Sequence, residues 1–128
     1  MKFHRSFLPS CFIVAAVCTP LIARTESTTF QVEIPRLLQT LGDSDCRFQR
    51  NEKWYDATVA RAHLQRKYHW MLQRDLVRST EQFIEQAASR SSRSGQVYRV
   101  DCPGQTQMDS ATWFDTQLRH IRSLYRTK

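Results

Sequence analysis

Two cysteines set the strongest constraint on this fold. The chain has four, at positions 11, 18, 46 and 102. The first two lie in a segment that reads as an export signal. Lys2, His4 and Arg5 form a basic head, and no charged residue follows from Phe7 to Ala23. A basic head before a short apolar run is the pattern of a secretory leader. Pro9 and Pro20 interrupt the run, which is shorter than the roughly 20 apolar residues of a spanning helix. Cleavage is expected after Ala23, although Leu21 is larger than the usual small residue two positions before such a site. A lipid anchor would need a small-residue box ending in Cys, and neither Cys11 nor Cys18 follows a good one. The expected organisation is a signal peptide over residues 1–23 and a single α+β domain over 24–128.

An exported chain meets an oxidising compartment, where an even pair of cysteines reads as a disulfide. The alternatives are two buried free thiols or a metal site. No Cys-x-x-Cys and no His-Glu-x-x-His occurs, so zinc lacks its short paired spacings. A Cys46–Cys102 bridge closes a loop of roughly 57 residues, for which chain entropy allows at most about 4 kcal/mol.

Local patterns supply the elements that this bridge would join. Ile34, Leu37, Leu38 and Leu41 have helical spacing, with Pro35 suited to a first turn and Gly42 to a stop. Cys46, Phe48 and Arg50 alternate with Arg47 and Gln49 as a short strand. Asn51-Glu52 is a turn, Lys53-Trp54-Tyr55 leads out of it, and Asp56 is placed to cap a helix from Ala57 to about Gln73. Ser79-Thr80-Glu81-Gln82 reads as a capping box before a short helix. Ser89 to Gly95 is a Ser/Arg loop, and Val97, Tyr98 and Val100 form a second strand. A last helix starts at Asp109 or Ser110. Trp113, Phe114, Gln117, Ile121, Leu124 and Tyr125 share one face of it, and Arg119, Arg122 and Arg126 the other.

The expected fold is therefore a small α+β domain of order α-β-α-α-β-α. Its two strands form an antiparallel, hairpin-like pair covered by helices. Antiparallel pairing sets Cys46, which opens the first strand, beside Cys102, which follows the second, so a bridge fits there without distortion.

The chain resembles a known family at several places. Cys46 to Asp56 follows a pattern Cys-x-Phe-x-Arg-Asn-Gly-x-Trp-Tyr-x-Ala. His63-Leu64 with Lys67-Tyr68 continues it, as do Thr80 to Ile84, Ala88 to Gly95, and Tyr98-Arg99-Val100 with Pro103-Gly104. Together these resemble the YfeK-like family of small exported bacterial proteins of unknown function, from about Ile34 to Leu124. Glu52 stands where that pattern has Gly, which alters the Asn-Gly turn. The resemblance implies the periplasm of a Gram-negative bacterium and carries over no substrate or catalytic residue.

Candidate sites follow from residue chemistry. Ser91, Ser92, Arg93, Ser94 and Gly95 offer hydroxyls, a guanidinium and a Gly able to free backbone N–H groups for a phosphate or carboxylate. Their ordinary role is a solvated turn. Arg50, Trp54 and Tyr55 can form an aromatic binding edge, or can simply anchor a strand-to-helix corner in the core. Val59, His63 and Trp70 form a second side of the long helix, either a partner surface or more core. No Gly-x-Ser-x-Gly elbow occurs, and His63 and His69 point to different helix faces.

No cofactor and no metal is expected. The formal charge of +7 reflects 19 Lys and Arg against 12 acids. Loss of Lys2 and Arg5 with the leader leaves 17 against 12, or +5. Outside the cytoplasm such a charge points to an anionic envelope component or another envelope protein rather than to nucleic acid. The expectation is a non-catalytic binding protein, monomeric or weakly dimeric, without a membrane span after processing. The alternatives are a small hydrolase-like enzyme using the Ser89–Gly95 loop and His63, and a basic polyanion-binding module.

Overall fold

The computed structural model describes residues 29–126. The expected leader over 1–23 and the expected domain start at 24 lie outside the described residues. In chain order the elements are α1 (Thr29–Asp43), β1 (Arg47–Arg50), β2 (Lys53–Asp56), α2 (Ala57–Leu72), α3 (Thr80–Phe83), a π-helical turn (Ile84–Ala88), β3 (Arg99–Asp101), β4 (Met108–Asp109) and α4 (Ser110–Arg126). The class is α+β as expected.

Helix α1 begins a full turn before Ile34, and Pro35 lies inside it rather than in its first turn. The first turn holds because Phe30 is buried and Glu33 is tied to other helices. Tertiary contact thus outweighs the hydrogen bond that Pro35 cannot make. Gly42 does not stop the helix, which runs to Asp43. A Cβ there would lie 2.5 Å from Arg61 Cδ, so Gly42 serves the close approach of α2. Ser79 caps α3 as its sequence implies, accepting from the Gln82 N–H at 3.0 Å. Asp56 sits at the start of α2, but its side chain makes no capping hydrogen bond.

The sheet has four antiparallel strands in the order β2-β1-β3-β4. The expected pair, β1 and β3, forms its centre, with Arg47 opposite Asp101 and Phe48 opposite Val100. Cys46 and Cys102 flank that register and are disulfide-bonded. Strands β2 and β4 widen the sheet. Four and two residues long, they are too short to show a period of two. The segment expected as a mere lead-out, Lys53 to Tyr55, pairs with β1 through a two-residue turn. Asn51 and Glu52 both hold positive φ there, 48° and 67°, as a type I′ hairpin turn requires.

Helices cover one face of the sheet, where Phe48 and Val100 are buried and Phe48 meets Trp113 edge-on at 5.4 Å. Ile34, Leu37 and Leu41 of α1, Phe83 beside the π turn, and Phe114 of α4 complete the core. On α4, Leu118 is buried, whereas Leu124 and Tyr125 are exposed rather than part of the inner face. Among the described residues no helix is long and apolar enough to cross a membrane.

Candidate functional site

Side chains two apart on a strand share a face. Arg50 follows Phe48 by two, so the inner, helix-covered face of the sheet ends in a guanidinium. It approaches α2, where Arg50 Nη1 lies 2.8 Å from Nδ1 and 3.1 Å from Nε2 of His63. A guanidinium only donates, so the imidazole accepts and is neutral. One turn further along α2, Lys67 shares the face of His63. Its Nζ donates to the Ala87 carbonyl at 2.7 Å and lies 5.5 Å from the Tyr98 ring centre.

That carbonyl is free for a reason. In a continuing helix it would accept from the Ser91 amide, but Ser91 N–H donates to Gln96 O instead. The helix ends in a π turn, and the chain reverses through a ladder in which Tyr98 N–H donates to Ser89 O and Arg90 bridges Val97. Lys67 takes up an orphaned carbonyl at that helix end. The reversal carries Ser91, Ser92 and Arg93 over the cluster.

Together Arg50, Asn51, His63, Lys67, Ser91, Ser92, Arg93 and Tyr98 line a cleft of about 410 Å³. Burial first, then Arg50, Lys67 and Arg66, pushes the His63 imidazole down to about 4. Burial, with Arg50 next, pushes the Lys67 ammonium down to about 8. Tyr98 is pushed up by burial. Burial leads all three shifts; neighbouring cations add to it at His63 and Lys67, whereas Arg50 opposes it at Tyr98. No described lining residue of the cleft is acidic.

Residues singled out for separate reasons thus meet here: Arg50, His63, Ser91, Ser92 and Arg93. Others are not brought in. Ser94 donates to Asn51 Oδ1 at 2.6 Å, at the outer edge. Gly95 holds φ 72°, and its N–H is taken by Ser91 O. The amides of Arg93 and Ser94 turn to Ser91 Oγ at 3.3 Å. The loop therefore offers side chains, not a backbone nest. The aromatic pair divides: Tyr55 lies under Arg50 at 5.4 Å on the inner face, whereas Trp54 lies under Arg47 on the outer one. Val59 and Trp70 are about half exposed. Lys67 and Tyr98 were not read as site residues from sequence. The available signal was the His63–Lys67 spacing of four, which places two basic groups on one helix face.

The expected basic face of α4 is not uniformly solvated. Arg122 grips Glu33 with two bonds, Nε to Oε1 at 2.8 Å and Nη2 to Oε2 at 2.9 Å, and Glu81 with a third at 2.6 Å. Thr80 Oγ1 donates to Glu33 Oε2 at 2.5 Å. Among the described residues no group of His, Cys, Asp and Glu is placed to hold a metal ion.

Comparison with known proteins adds a family. Residues 28–122 match the model of a family of unknown function, DUF5329. No curated protein and no solved structure matches. With nearly all of the described chain inside the match, the protein belongs to that family.

Proposed function

We propose that this member of the DUF5329 family is an exported, non-catalytic binding protein of a Gram-negative periplasm, and that its ligand presents a phosphate or carboxylate to the Arg50–His63–Lys67–Arg93 cleft. The observation that carries the reading is the uncompensated charge: Arg50, Lys67 and Arg93 converge where no described lining residue is acidic. Concentrated cations in a half-buried cleft attract an anion. The export pattern over residues 1–23, the disulfide and the finer YfeK-like resemblance support the periplasmic part. An anionic envelope component suits this cleft better than a flat protein partner, because the cations lie in a recess.

The test is titration with inorganic phosphate, followed by the ring resonances of His63 and by calorimetry. Saturable binding is expected. Lys67→Met and Arg93→Met should each weaken it about tenfold, the scale of one charge-assisted contact. Arg119→Met, which removes the same charge from the exposed side of α4, should not. Equal loss in all three variants would mean diffuse attraction and would remove the site.

The hydrolase-like alternative draws on one observation, the meeting of His63 with Ser91 and Ser92. Turnover of p-nitrophenyl acetate or phosphate that depends on His63 and Ser92 would replace binding with catalysis. In the binding reading there is none.

A further inference from the structure

Beside the cationic cleft lies a second, larger recess of about 620 Å³, lined by Arg66, Lys67, Trp70, Met71, Leu76 and Gln86 together with Ser92 and Arg93. Lys67, Ser92 and Arg93 border both recesses, so the two lie side by side as a groove in two parts. The parts differ in kind. One holds Arg50, His63 and Lys67; the other has Trp70, Met71 and Leu76 along its wall, with Arg66 at its edge.

The apolar part is built by the way α2 stops. Asp75 takes φ 53°, its N–H donates to Leu72 O, and Leu76 N–H donates to Met71 O at 2.9 Å. This is a Schellman turn, which folds the residue after the left-handed position back against the last helical turn. Leu76 is thereby held beside Met71 instead of running into solvent. It remains 42% exposed, and Trp70 51% exposed with Arg74 over its ring at 4.4 Å. Trp70 and Leu76 stand outside the buried core, whereas Met71, 5% exposed, belongs to it and floors the recess between them.

We propose that the groove takes a single amphiphilic molecule, with a phosphate or carboxylate head among Arg50, Lys67 and Arg93 and a hydrocarbon portion along Trp70, Met71 and Leu76. The proposal rests on the anion-binding reading and adds the class of ligand. Charge complementarity selects the occupant: none of the described residues lining either recess is acidic, and Lys67 and Arg93 border both, beside the apolar side chains. A few placed charges beside an apolar wall are the usual anatomy of a small-molecule site.

Calorimetry with three probes tests this. Dodecyl phosphate, kept below its micelle concentration, should bind one to one and at least about tenfold more tightly than inorganic phosphate, from the added apolar burial. Dodecyl maltoside, with the same chain and no charge, should not bind measurably. Trp70→Ala should bring dodecyl phosphate close to the affinity of inorganic phosphate and leave the latter unchanged, while Lys67→Met weakens both. If the two phosphates bind alike and Trp70→Ala changes nothing, the amphiphile is wrong and the anion site stands. If neither phosphate binds, both fall together. Binding of dodecyl maltoside as tight as dodecyl phosphate overturns the head-group assignment. Binding only to vesicles of anionic phospholipid, and not to the monomer, overturns the groove in favour of surface attraction.

Discussion

Two separate clusters of charge involve the helices, and both are built around arginine. At the junction of α1, α3 and α4, Arg122 spends its fork on Glu33 and Glu81, and Thr80 takes a remaining lone pair of Glu33. Glu33 is only 5% exposed, yet both of its oxygens have donors. Its carboxyl is lowered despite burial, which alone would raise it, because Arg122 and Thr80 hold the ionised form. In the cleft under the 89–98 reversal, Arg50, Lys67 and Arg93 face a neutral His63 and a tyrosine. The first cluster is electrically closed, and the second lacks its anion. Charge in itself says little about function; whether its counter-charge is already supplied by the chain separates a staple from a site.

The largest expected effect breaks the closed cluster. Arg122→Met leaves the Glu33 carboxylate buried with Thr80 as its one remaining partner. Loss of one member of a buried pair costs about 3–5 kcal/mol. The lower end, about 3 kcal/mol, applies because the Arg122 side chain is itself 39% exposed. Urea denaturation should show a lowered midpoint with an unchanged slope. Phosphate affinity should be preserved under native conditions. A stability unchanged by this substitution would erase the distinction between the two clusters.

The second prediction reverses the pattern. Lys67→Met removes a cation that the fold holds at a penalty, as its lowered pKa records. One hydrogen bond to the Ala87 carbonyl is lost, worth about 1 kcal/mol, and relief from burying the charge offsets it. Stability should change by less than about 1 kcal/mol while phosphate binding falls about tenfold. A large loss of stability with unaltered binding would make Lys67 a structural cap alone.

Acid should sharpen the contrast further. His63 faces Arg50 from β1, Lys67 and Arg66 from α2, and shares its cleft with Arg93 and Tyr98 of the reversal. Its folded pKa of about 4 lies below the unfolded value near 6.5. The unfolded chain therefore binds the proton first, and the contribution is whole above pH 6.5 and is lost as pH falls through 4. Glu33 and Glu81, both lowered, add their own loss below their ordinary range near 4.5. A bound phosphate supplies the missing counter-charge and should raise the His63 pKa, shifting the onset of acid unfolding to lower pH. His63→Gln should lose the part of that slope between pH 6.5 and 4.5. Identical slopes in the two proteins would show that the carboxylates alone set it. On the alkaline side, phosphate binding should weaken as pH rises through about 8, where Lys67 gives up its proton.

How much of this was legible in the sequence follows from the range of each interaction. The disulfide was legible, because compartment chemistry and one strand pairing sufficed to place Cys46 beside Cys102. The Ser79 cap was legible, because it spans three residues. The closed cluster was not: Glu33 and Arg122 are 89 positions apart, and each alone resembles a solvated helix residue. The cleft lies between these cases. Arg50, His63 and the Ser91–Arg93 run each carried a local signal, but their convergence depends on the chain reversal after the π turn. The Ser89–Gly95 run marks a loop there, but no short-range pattern says that it folds over α2. Glu52 was legible as a departure from an Asn-Gly turn, yet the structure keeps the tight hairpin, with the cost borne by the residue.

That cost gives the smallest prediction, on a segment where backbone strain decides in place of charge. Glu52 holds φ 67° at the second turn position. A left-handed conformation costs a residue with a Cβ roughly 1–2 kcal/mol, and glycine escapes it. Glycine also enlarges the entropy of the unfolded chain, by about 0.4–1 kcal/mol. Glu52→Gly should therefore stabilise by about 0.5–1 kcal/mol, raising Tm by a few degrees in a domain of this size. The neighbouring Asn51 lines the cleft and accepts from Ser94, so the turn also sets one wall of the site. A turn already in its native shape should hold that wall whichever residue follows Asn51. Phosphate affinity should thus stay within about twofold while Tm rises. A fall in Tm would show that the turn does not hold Glu52 left-handed. A rise in Tm accompanied by a large change in affinity would show that the strain at Glu52 is transmitted to the cleft.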